Sequence, residues 1–122
     1  MPYTLSMVGD GILCNYTNNA TQNDIAEAIG KVGTELDGRD VRFVIHDFSA
    51  ADSLDSGSAA QLFFTLKSRG KQSVGTLQMV AVVTRDEVFS YLVEEFKKHT
   101  SYQTKVFRTL MDAQAWIGLA LQ

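Results

Sequence analysis

The chain has 122 residues, 45% of them hydrophobic and 20% charged, with a single proline. A chain of that length buries about two-thirds of its extended surface, so one domain spanning residues 1–122 is expected, neither disordered nor low in complexity. One cysteine and two histidines exclude an internal disulfide and argue against a structural metal site, and a net charge of −3 argues against nucleic acid as a partner.

No apolar run reaches the ~18 residues of a membrane span and no signal-peptide pattern opens the sequence, so cytoplasmic residence is the expectation. Charge is unevenly distributed. Residues 1–61 carry three Lys/Arg against nine Asp/Glu, and residues 62–122 carry eight against five. Lys67, Arg69, Lys97 and Lys98 fall near predicted helix C-termini, where cations complement the helix dipole.

Tyr3 to Val8 and Ile12 to Thr17 alternate around Gly9-Asp10-Gly11, which predicts a hairpin. Thr21 and Asp24 have capping-box spacing, and Ile25, Ile29, Val32 and Leu36 then recur at helical intervals up to Gly38. Gly30 and Gly33 beside Ala26 make a small-residue stripe; their helix penalty of up to ~1 kcal/mol each predicts a close packing contact. Residues 41–48 become apolar on both alternating faces, the mark of a central parallel strand covered on both sides.

A second helix is predicted from about Ser58 to Arg69, closed by Gly70, and a second central strand from Leu77 to Val83. Thr84 to Glu87 again has capping-box spacing, and the helix after it places Val88, Phe89, Leu92, Val93 and Phe96 on one arc. Thr104 to Phe107 forms a short strand, and Thr109 caps a last helix whose buried positions are Ala113, Trp116, Ile117 and Ala120. The order ββαβαβαβα with right-handed crossovers predicts an α/β sandwich. Its mixed sheet has about five strands, with the N-terminal hairpin as an antiparallel edge.

Motifs for known chemistries are missing. The chain has no glycine-rich phosphate cradle and no Gly-x-Ser-x-Gly elbow, so no catalytic residue and no cofactor is expected. Cys14 sits mid-strand and reads as a small buried residue rather than a nucleophile. His46 and Asp47 are adjacent near the end of a central strand, so their side chains point to opposite faces and cannot easily form a dyad. His46 reads as a packed, hydrogen-bonded histidine, and Asp47 as a cap for the loop around Ser49 to Asp52. An enzyme using either as a base beside Thr84 and Arg85 is the least supported reading.

The segment Ser49 to Ser58 joins that strand to a predicted helix N-terminus, where free backbone N–H groups favour anionic groups. Asp55, Ser56 and Ser58 are alternative N-caps there, and a phosphate on Ser56 would gain from the same field. Asp55-Ser56-Gly57-Ser58 and the helix after it resemble the Asp-Ser-Ser/Thr-Gly segment of STAS domains, the anti-sigma factor antagonists. That resemblance implies Ser56 as the phosphoacceptor, although Gly57 stands where the family has Ser or Thr. Met1-Pro2-Tyr3, Ile45-His46-Asp47-Phe48-Ser49, Val80-Ala81-Val82-Val83 and Val106-Phe107-Arg108-Thr109 with Ala113 and Trp116-Ile117 resemble bacterial SpoIIAA-like proteins over nearly the whole chain. These share the STAS fold and are similar to the lipid-carrying CRAL-TRIO domains. The resemblance implies a fold and a tendency toward ligand or membrane association.

In the predicted second helix Ala59, Leu62, Phe63 and Leu66 form the core arc, and Phe64 stands about 100° from Phe63 with Lys67 in the gap. This is either a wide core face or a pocket lid or partner contact. Two readings follow. The first is a non-enzymatic binding or regulatory module, without metal or cofactor, whose partner surface is Asp47, Ser49, Asp55, Ser58, Phe63, Phe64, Lys67, Thr84 and Arg85. The second is a carrier or sensor of a small apolar or amphipathic ligand, associated peripherally with membranes, with a cavity lined by Phe63, Phe64, Phe89 and Phe96. A homodimer is compatible with either. Both require the two central strands to lie side by side and parallel, bringing 49–58 and 84–87 to one edge.

Overall fold

A glycine in the left-handed region starts the fold. In the computed structural model, which describes residues 3–17, 20–38, 41–50, 77–96 and 103–120, Gly9 has φ of +57° and no described non-glycine residue has positive φ. A two-residue turn with only its first position there is the hairpin type that glycine favours. It joins β1 (Tyr3–Val8) to β2 (Gly11–Tyr16), with Val8 opposite Gly11.

The chain continues through α1 (Gln22–Gly38), β3 (Phe43–Asp47), β4 (Met79–Val83), α2 (Glu87–Phe96), β5 (Gln103–Phe107) and α3 (Leu110–Ala120). The helix expected at 58–69 lies outside the described residues. The sheet has five strands in the order β1-β2-β3-β4-β5. β1 pairs antiparallel with β2, and every later pair is parallel. The mixed sheet with its antiparallel edge is therefore as expected.

All five residues of β3 and of β4 are buried, because helices cover both faces of the sheet centre. On one face Ile25, Ile29 and Val32 of α1 and Phe89 and Val93 of α2 pack over Ile12, Cys14, Tyr16, Val44, Val80 and Val82. On the other, Ala113 and Ile117 of α3 pack over Phe43, Ile45, Met79, Ala81 and Val83.

Side chains cap the three described helices. Thr21 and Asp24 form the predicted box: the Thr21 N–H donates to Asp24 Oδ2 at 2.9 Å and the Asp24 N–H to Thr21 Oγ1 at 3.3 Å. Thr109 accepts from the Asp112 N–H at 3.2 Å. The box expected at Thr84 is displaced by two residues. Thr84 N–H still donates to the Phe107 carbonyl at 2.9 Å, so it belongs to the sheet, and Asp86 becomes the cap by accepting from the Phe89 N–H at 2.9 Å.

Three packing expectations also change. Gly30 is exposed and a Cβ there would meet nothing within 4 Å, so no close contact accounts for it; Ala28, fully buried, is the small residue at the contact. Val88 is 51% exposed, because the late start of α2 turns it outward. Trp116 is half-buried at the helix margin, its ring 5.5 Å from that of Phe107.

Candidate functional site

Parallel register decides which loops meet. Asn15, Asp47, Val83 and Phe107 align across β2 to β5, so residues 48–50, 84–86 and 108–109 leave the sheet at one edge. The Phe48 N–H donates to the Val83 carbonyl at 2.8 Å, tying the first two of these loops together. Carboxyl ends of parallel strands are where open α/β sheets bind their ligands.

The structure brings Asp47, Ser49, Thr84 and Arg85 to this edge. Asp47 is 7% exposed, and its Oδ1 accepts both the Ser49 N–H at 3.0 Å and the Ser49 hydroxyl at 2.6 Å. This is the loop-capping role expected of it. Thr84 Oγ1 accepts the Asp86 N–H at 3.1 Å. Ser49 and Arg85 are exposed. Asp55, Ser56, Ser58, Phe63, Phe64 and Lys67 lie outside the described residues.

Behind the edge, the first helical face holds an aromatic stack. Tyr16 and Phe48 lie with ring centroids 4.2 Å apart and planes 5° from parallel, and Phe48 meets Phe89 at 4.8 Å. His46 stands beside them, 2% exposed, with Nδ1 3.1 Å from the Tyr16 hydroxyl; the ring tautomer sets which of the two donates. Burial pulls its pKa down to about 4, so the imidazole is neutral at pH 7. Burial likewise pushes the Cys14 thiol up to about 11 and the Tyr16 hydroxyl well above its usual range. His46 is thus the packed, hydrogen-bonded histidine that its sequence context predicts. Among the described residues no group of three or more His, Cys, Asp or Glu could hold a metal ion.

A pocket opens elsewhere than expected. Phe89, expected on a cavity wall, is 1% exposed and packed against Phe48, and nothing is described of the side chains of Phe63, Phe64 and Phe96. The described pocket, of about 390 Å³, lies on the opposite face of the sheet, at the end where the hairpin turns. Leu13, Phe43 and Ile45 form its floor, and Ile117 and Gly118 of α3 one wall. Val8 and Gly9 close the turn end, and Gln114 contributes a polar side chain.

The pocket follows from element widths. Five strands at ~4.8 Å spacing make a face about 19 Å across, and one helix is about 10 Å wide. Two described helices cover the first face, whereas α3, the one described helix on the second, packs over β3 to β5. The pocket lies above β2 and the adjoining part of β3, where no described helix packs on this face. Leu13 of β2 and Phe43 and Ile45 of β3 share this face through the parallel register, which alternation within either strand alone does not reveal.

A scan against protein-family models gives no match, and neither does a search of curated proteins. Among solved structures, the chain is similar to an uncharacterized protein of the DUF3478 family from Shewanella loihica PV-4, which has a SpoIIAA-like fold. The two are 17% identical with a TM-score of 0.59, and the match covers 93% of this chain and 90% of that one. With the hairpin, the parallel run of β2 to β5 and the flanking helices in the expected order, the chain has a SpoIIAA-like α/β fold.

Proposed function

We propose that the protein is a non-enzymatic binding and regulatory module that engages a protein partner at the carboxyl edge of β3 and β4. The observation that carries this reading is how the polar groups of that edge are used. Asp47 holds Ser49, Thr84 holds Asp86, and Asp86 caps α2, so these side chains build a firm loop platform. His46 is sealed beneath it in neutral form. Ser49 and Arg85 are exposed, and we assign partner contact to them together with Asp55, Ser56, Ser58, Phe63, Phe64 and Lys67, which lie outside the described residues. Ser56 is the proposed switch, where added phosphate would change the local charge by about −2. The setting is cytoplasmic.

The test is a pull-down comparing wild type with Arg85→Glu, Phe64→Asp and Ser56→Glu, each first shown to be folded by circular dichroism. Under this reading a partner held by wild type is lost from the first two variants and altered in the third. Identical partner sets in all four would remove the proposal.

A second reading, a carrier or sensor of a small apolar or amphipathic ligand with peripheral membrane association, is favoured by the pocket beside α3. No described helix is long and apolar enough to cross a membrane.

A further inference from the structure

From the walls of the pocket between α3 and the β2–β3 floor, we infer that it is a binding site for a small uncharged hydrocarbon ligand with one hydrogen-bonding end group, and that Gly118 keeps it open. This rests on the second reading above and gives it a location and a chemistry. At about 390 Å³ the pocket exceeds the ~150 Å³ void that holds a benzene ring and falls within the ~300–1,000 Å³ range of small-molecule sites. Leu13, Phe43, Ile45 and Ile117 offer carbon only, and no described lining residue is charged. Water inside such walls finds few partners, and a charged ligand would lose its hydration without a counter-charge. Gln114 is the polar side chain of the described lining, and being exposed it stands at the mouth, where it can both donate to and accept from a hydroxyl.

Two glycines shape the site. Gly11 is paired with Phe43 across the parallel ladder, and a Cβ on Gly11 would run into the Phe43 ring. The ring therefore lies down on bare backbone and forms the floor. Gly118 does the reverse. It lies inside α3, its φ is not positive, and a Cβ there would meet nothing within 4 Å. Neither backbone geometry nor a packing contact requires glycine at a position where it is among the poorest helix formers. What the missing side chain leaves is room along the pocket wall.

That room suits the test, because a Cβ at 118 meets nothing within 4 Å and a larger side chain is added at the pocket wall. The probe is decanol, titrated into the isotopically labelled full chain below its solubility limit, with Gly118→Phe and Gly118→Ala in parallel. Phosphatidylcholine vesicles serve as a separate arm. Wild type should show saturable shifts confined to the methyl groups of Leu13, Ile45 and Ile117 and the side-chain amide of Gln114. Gly118→Ala should retain binding within about threefold, and Gly118→Phe should lose at least about tenfold while melting no lower than wild type. Absence of saturable shifts, or equal affinity in Gly118→Phe, overturns the proposal. Vesicle binding without decanol binding would also overturn it, and would leave the membrane-associated reading standing without this pocket. A partner lost on Arg85→Glu but kept by Gly118→Phe separates this site from the loop edge.

Discussion

Mild acid should destabilise this protein through His46. The imidazole is 2% exposed, and the described hydrogen-bonding and ring neighbours are the Tyr16 hydroxyl at 3.1 Å from Nδ1 and the rings of Tyr16 and Phe48, centred 6.1 and 6.3 Å from its own. None of these supplies a negative charge, since burial also keeps Tyr16 protonated. Asp47, the next residue, turns its carboxylate to Ser49. The folded-state pKa is accordingly depressed from 6.5 to about 4. Unfolded chains take up the proton near 6.5, so between that pH and about 4 the unfolded state binds more protons and stability falls as pH falls. At about 1.4 kcal/mol per unit the loss is about 3 kcal/mol, a large part of the ~5–15 kcal/mol that holds a domain together. Above 6.5 His46 adds no pH dependence, and below about 4 its effect levels off. Urea unfolding across this range should show the fall in wild type and a shallower one in the pair His46→Leu with Tyr16→Phe, which removes both partners of the hydrogen bond. Parallel pH profiles for the two proteins would refute the assignment, whatever the absolute stability of the variant.

Further outcomes follow from single sites. Gly11→Ala should destabilise by about 1–3 kcal/mol, because its methyl meets the Phe43 ring, and Phe43→Leu in the same chain should recover part of that in a double-mutant cycle by urea unfolding. Thr104 Oγ1 is buried with no hydrogen-bond partner among the described residues, so Thr104→Val should raise stability by about 1 kcal/mol, read as a higher melting temperature. Cys14, fully buried with its thiol pKa raised to about 11 from an ordinary 9, should resist alkylation in the native state and react only at the rate of global opening. Since the unfolded thiol ionises first, stability should also decline as pH rises from 9 toward 11.

Elements whose signals are local and redundant were legible in the sequence. The hairpin has alternation on both sides of a glycine turn, and β3 and β4 are apolar on both faces because both faces are covered. His46 and Asp47 were separable because neighbours in a strand face opposite ways, and the structure gives each its own partner. Errors arose where a residue type has two local uses. Thr84 has the spacing of a helix cap, yet its backbone stays in the ladder with Phe107, and the cap passes to Asp86. Val88 belongs to the apolar arc by spacing, but it sits in the first turn of α2, beyond the reach of the sheet, and is exposed. The pocket was out of reach for a different reason. Its walls come from β2, β3 and α3, and periodicity within one element says nothing about how much of a sheet face a distant helix covers.

That difference in coverage also explains why the two candidate sites lie at opposite ends of the sheet. Strands β2 to β5 are parallel and start at the same end, so the carboxyl edge gathers the loops that open α1, α2 and α3, each closed by a capping side chain. Hydrogen bonding makes that edge polar and stiff, which suits recognition by surface contact. The opposite end has the hairpin turn, where β1 and β2 extend past the footprint of α3, and an apolar floor is left with no backbone donors pointing into it because β2 and β3 satisfy each other in the ladder. A partner that reads charge and hydrogen bonds gains little there, and an uncharged hydrocarbon gains little at the carboxyl edge. Substitutions at Arg85 and at Gly118 should therefore be additive in stability and independent in binding, as expected for sites at opposite ends of the sheet that share no residue.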